Sequence, residues 1–176
     1  MAIHWIVFLA ALLPFWLLQN VLHELAHGLA LKLGWGWKFS IWPFPSKRLG
    51  RFTFANVVYE PTCVSKVPTS KGWAFISAMP KIMNLFFFFA SIIVGLMISR
   101  SHKVVAFLCE VFGICNMVDF SFGMASIFRR EPNQSDMWRF QSNLNLDLYN
   151  FRWFSAWLIF AVCSIMGMST YFLVTQ

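Results

Sequence analysis

Four long apolar runs, roughly 3 to 33, 73 to 98, 104 to 128 and 153 to 175, dominate the pattern of this chain. Each reaches the length of about 20 residues that a helix needs to cross the hydrocarbon core of a bilayer. The pattern therefore predicts an all-α polytopic membrane protein with about four transmembrane helices. No basic segment precedes the first run, and its apolar character continues well past the length of a signal sequence. It is expected to stay in the mature protein. After the first run the period changes. Trp37 to Trp42 and Arg51 to Tyr59 partly alternate polar and apolar residues, and the stretch between them, from Pro43 to Gly50, is rich in turn formers. That predicts a small membrane-associated β-hairpin; an interfacial loop anchored by its tryptophans fits the same residues. The stretch from Arg129 to Arg152 is the most polar. It is expected as a loop with one short amphipathic turn around Trp138 and Phe140. No repeat or low-complexity linker interrupts the pattern, so residues 1–176 read as a single membrane-embedded domain.

Composition sharpens the class. With 59% hydrophobic and 12% charged residues and a mean hydropathy of +0.62, the chain is too apolar for a soluble domain of its size. The net charge of +7 is unevenly spread. Lys38, Lys47, Arg48, Arg51, Lys66 and Lys71 lie between the first two runs, and Arg129, Arg130, Arg139 and Arg152 between the last two. Only Arg100 and Lys103 lie in the middle connection. By the positive-inside rule the first and third connections are cytoplasmic and both termini face the other side. These charges flank spans rather than form a stripe, so no nucleic-acid partner is expected. Cys63, Cys109, Cys115 and Cys163 show no CxxC spacing and read as small buried apolar residues.

The chemistry is concentrated in His23-Glu24-Leu25-Ala26-His27, inside the first run. Residues four apart share a helix face, so both imidazoles can reach one metal ion while Glu24 stands beside them as a base for water. Short motifs match by chance in soluble helices. In hydrocarbon, two histidines and a carboxylate are expensive, which favours a functional reading. A catalytic zinc site has three protein ligands and one open position, so another residue is needed. Glu60, Glu131, Asp136 and Asp147 are expected in loops, and His4 and His102 near the opposite face. Glu110 and Asp119 lie within the third span. Two spans running in the same direction put Asp119 at the depth of the histidines, whereas Glu110 is about 13 Å away along the axis. Asp119 is the expected third ligand. Asn116, one turn earlier, could orient a ligand or hydrogen-bond a substrate; alternatively the Asn116 and Asp119 pair joins helices. Cys115, four residues before Asp119, is a lesser candidate near the metal. Pro80 in the second span should kink the helix and free backbone carbonyls that need other partners. Lys81 beside it is expected to snorkel toward the cytoplasmic surface, with a catalytic role as the alternative.

Taken together, these stretches resemble the site-2 protease family of intramembrane zinc metalloproteases. His23 to Gly34 is similar to the family's first core helix, in which two histidines bind zinc and a glutamate is the general base. The strand-like segments and the Ser77 to Asn84 stretch resemble the membrane-associated sheet and the Gly-Pro...Asn helix that follow it. Asn116 to Phe120 falls where the family has its Asn...Asp-Gly helix. Met79 and Phe120 stand where glycine is usual, and Asn84 is one residue late. The resemblance spans about residues 15 to 125 and marks a short, divergent member. It implies zinc held by His23, His27 and Asp119, Glu24 as catalytic base, Asn116 and Asn84 as substrate-binding or supporting residues, and transmembrane proteins as substrates. A catalytically inactive relative that binds transmembrane partners, or a metal-handling membrane protein, is the alternative.

The topology is testable at once. A cysteine introduced at Ser46 should react only from the cytoplasmic face and one at the C-terminus only from the opposite face. Labelling of both from the same side would break the four-span arrangement.

Overall fold

The structure, a computed structural model, describes residues 2–44, 46–48, 51–53, 55–61, 67–129 and 135–175. Helix α1 (Ala2–Trp35) is followed by four short strands, β1 (Lys38–Trp42), β2 (Ser46–Arg48), β3 (Arg51–Thr53) and β4 (Asn56–Glu60). Helices α2 (Ser70–Ile98), α3 (Lys103–Ala125), α4 (Asp136–Leu144) and α5 (Leu148–Thr175) complete the fold, with a 3-10 turn at Ser126–Phe128 closing α3. Helices α1, α2, α3 and α5 are long and apolar enough to cross a membrane, as a multi-pass membrane protein requires. Their positions follow the hydropathy pattern. The expected calls on Cys63, Lys66, Arg130 and Glu131 fall outside the described residues.

Local chemistry sets the element ends. At 34 residues α1 is about 50 Å long, well beyond the roughly 30 Å hydrocarbon core. It stops where Gly36 adopts a left-handed conformation (φ 71°) and donates its N–H to Lys32 O at 2.9 Å, a helix end that a side chain would strain. Helix α2 starts at Thr69, whose hydroxyl accepts the Gly72 N–H at 3.3 Å. The expected hairpin is present as two nested ladders. Strand β1 pairs antiparallel with β4, from Lys38 opposite Glu60 to Trp42 opposite Asn56, and β2 pairs with β3 inside it. The Arg51 segment therefore meets Ser46 to Arg48 and not the Trp37 segment, because the turn-forming stretch itself carries a short ladder.

Two apolar clusters hold the helices together. One joins Phe88 and Ile92 of α2, Phe120 and Met124 of α3, Met137 and Trp138 of α4, and Val162 and Met166 of α5. The other, Ala30, Leu31, Trp37 and Ile76, fixes the end of α1 against the start of α2. Helix α4 corrects the expected loop. Met137, Phe140 and Leu144 recur at i, i+3 and i+7, a helical period that the surrounding polar residues obscure. Its Trp138 donates Nε1–H to Ser126 O at 3.0 Å, and the Ser126 and Ser135 hydroxyls lie 2.8 Å apart. The cysteines are also not uniform. Cys115 is buried, Cys109 half-buried and Cys163 on the outer face of α5, where an apolar bilayer makes exposure of a thiol cheap.

Close approach of α1 to the sheet depends on Gly28, where a Cβ would overlap the Phe39 ring. We expect Gly28→Val to lower stability by about 1–3 kcal/mol, the usual cost of overpacking. Gly34→Ala, with nothing within 4 Å, should be neutral or stabilising by up to about 1 kcal/mol. Thermal unfolding in detergent would separate the two.

Candidate metal centre

Gln19, His23 and His27 are spaced four apart on α1 and form one polar stripe. Facing it are Ile76, Lys81 and Asn84 of α2, Asp119 of α3 and Asp136 of α4. Each histidine is anchored through Nδ1. Pro80 has no N–H to give to the carbonyl of Ile76 one turn earlier, and that free carbonyl lies 3.0 Å from His27 Nδ1. His23 Nδ1 lies 3.0 Å from Asp119 Oδ2. Both Nε2 atoms are thereby left facing the same oxygen. Asp136 Oδ2 is 3.2 Å from His23 Nε2 and 3.4 Å from His27 Nε2.

This group fits a metal ion. One ligand atom from each of His23, His27 and Asp136 lies within 4.8 Å of the others. Donors about 2.0–2.1 Å from a tetrahedral zinc stand about 3.3–3.4 Å apart, close to the two distances to Asp136. An imidazole whose Nδ1 is tied to a carbonyl or carboxylate, with Nε2 free to ligate, is the usual arrangement around such ions. A carboxylate facing two Nε2 atoms also calls for a cation, either a proton or a metal, between them. Burial tends to raise the Asp136 pKa, but hydrogen bonds from His23 and His27 outweigh it and hold the carboxyl below its ordinary range.

Asp119 reaches the cluster at the expected depth but on the Nδ1 side of His23. Its Oδ2 also receives Lys81 Nζ at 2.9 Å and the Asn84 amide, and its backbone carbonyl receives Lys81 Nζ at 3.2 Å. The snorkelling expected of Lys81 is corrected: its side chain is only 8% exposed. The Asp119 carboxylate holds it inside the bundle, and Gly123 makes the room, since a Cβ there would overlap the lysine's terminal atoms. Asn84 accepts in turn from Gln19 Nε2 at 3.2 Å. Asn116 is fully buried and donates to Phe112 O in its own helix at 2.9 Å, while its Oδ1 has no partner among the described residues. Cys115 points its thiol at Leu12 O, about three turns before His23. Glu110 belongs to a separate contact with α5, receiving Ser169 Oγ at 3.2 Å and Thr170 Oγ1 at 2.6 Å.

Glu24, next to His23 on the helix but about 100° around it, turns toward the sheet. Its Oε2 accepts the Val57 N–H at 3.1 Å. Val57 pairs with Ile41 of β1, yet its N–H points away from that strand, so the open edge of β4 lies beside the motif.

Asp136, Lys81 and Gln19 were not anticipated here. Gln19 carried a signal, its spacing four residues before His23. Comparison of the chain with protein-family models, with curated proteins and with solved structures gives no match in any of the three.

Removing the ammonium leaves a half-buried carboxylate with less compensation. Lys81→Met should destabilise the protein by about 3 kcal/mol, and adding Asp119→Asn should recover part of that loss. Unfolding midpoints of the two variants against wild type would test the pairing; equal midpoints for all three would remove it.

Proposed function

We propose that this chain is an intramembrane zinc metalloprotease that hydrolyses peptide bonds of membrane-embedded protein substrates. What supports the reading is one arrangement: two anchored imidazoles with an aspartate opposite their Nε2 atoms, and beside them a carboxylate base next to an open strand edge. A metal-storage site has no need of that base. His23 and His27 hold the ion with an aspartate, and the charge distribution puts the centre toward the cytoplasmic side with both termini opposite. Zinc, when bound, supplies a Lewis acid that polarises a peptide carbonyl and acidifies water.

The remaining work falls to the chain. Glu24 keeps Oε2 on the Val57 N–H, which fixes its orientation and leaves Oε1 to take the proton from water and return it to the departing amine nitrogen. A helical substrate hides its carbonyls in its own hydrogen bonds and must unwind first. Beyond the Val57 N–H that Glu24 occupies, the outer edge of β4 can take the unwound segment by strand addition through the outward backbone groups of Tyr59. Asn84 and Lys81 keep Asp119 in place behind His23.

Glu24→Gln tests this directly. Glutamine keeps the shape and can still hold the Val57 N–H, but it cannot accept the proton. Zinc content and fold should survive, while cleavage of a co-expressed transmembrane substrate falls by about 10²- to 10⁴-fold. Equal processing by wild type and variant would remove proteolysis and leave a metal-binding or pseudoprotease role.

A further inference from the structure

We propose that the third metal ligand is Asp136, delivered by the short helix α4 from outside the membrane-spanning segments, so that metal binding and docking of α4 reinforce each other. The inference rests on reading this cluster as a metal centre. It differs from a site built wholly of transmembrane helices in where the last ligand comes from.

Three observations carry it. First, Asp136 Oδ2 faces both Nε2 atoms, at 3.2 and 3.4 Å, whereas Asp119 Oδ2 meets His23 only at Nδ1. Second, Asp119 is already committed. Lys81, Asn84 and His23 surround its Oδ2, and a metal there would have to displace an ammonium. Third, α4 is held in place by tertiary contacts rather than by its own length. Met137 and Trp138 bury themselves in the bundle, but the helix is only nine residues long, too short to persist alone. Its docking therefore depends on tertiary contacts, and an ion shared with the two imidazoles would strengthen the contact that its first residue already makes to them. Release of α4 would leave two histidines, a weak site. Docking of α4 would complete the centre, and α4 would thereby act as a switch on metal retention.

The test uses full-length protein in detergent, with Zn²⁺ and Co²⁺ as probes. Asp136→Cys should give a near-ultraviolet thiolate-to-cobalt charge-transfer band, and wild type and Asp119→Cys should give none. Asp136→Asn, which keeps the shape of the side chain, covers the case in which cysteine disturbs folding. It should weaken zinc binding by more than the roughly 10- to 100-fold that loss of an orienting partner costs, the loss expected of Asp119→Asn. Trypsin cleavage after Arg139, exposed on α4, should slow by up to about 100-fold when zinc is present at a hundred times its Kd. Asp136→Asn should abolish that protection. A band in Asp119→Cys and not in Asp136→Cys, or protection that survives Asp136→Asn, would overturn the proposal and leave the metal reading intact. If wild type takes up neither ion, the metal reading itself fails.

Discussion

A carboxylate among apolar helices persists only if something compensates its charge, and Asp119 is where that demand is met. Lys81 and Asn84 approach its Oδ2 from α2, and His23 approaches from α1. The rest follows from these contacts. Gly123 has no side chain because the lysine occupies that space. Asn84, with its amide nitrogen on Asp119, offers its oxygen to Gln19. His23, held at Nδ1, presents Nε2 to α4. The depth at which three spanning helices can meet is thus fixed by polar groups, while the apolar clusters on either side determine how tightly they pack.

The geometry of α1 distributes the chemistry between two neighbours. His23 and His27 share a face and look toward α2 and α4. Glu24, about 100° around the helix, looks toward β4. One helical turn therefore presents two imidazoles on one side and a carboxylate on the other, with the sheet and α4 at the same level. Gly28 secures this by letting the Phe39 ring of β1 lie against the helix one turn after Glu24. Helix α4 does the same from the opposite side, through Trp138 and the paired hydroxyls of Ser126 and Ser135.

Much of the fold was legible because its strongest determinants are local. Apolar runs of bilayer length mark the spans, partial alternation marks the ribbon, and a spacing of four on an expensive background marks His23 and His27. Depth arithmetic brought Asp119 to the right level. It could not say which ring nitrogen the carboxylate would meet, since that depends on helix rotation and on what else competes for the oxygen. Asp136 was set aside because polar neighbours made its segment look like a loop, and its contact with His23 spans 113 positions, which no local period encodes. Lys81 was misjudged for a related reason: snorkelling is the default only when no carboxylate waits at the same depth. Proline in α2 was the informative exception, since the missing N–H predicted a free carbonyl, though not that His27 would take it.

That proline carries a further consequence. Replacing Pro80 with a good helix former would ordinarily count as an improvement, since it restores a backbone hydrogen bond. Here the restored N–H would compete with His27 for the Ile76 carbonyl. The imidazole would lose the contact that fixes its tautomer and its aim. A sturdier helix would then hold a looser imidazole, a local trade between stability and order in which an apparent defect of the scaffold is what keeps His27 in place.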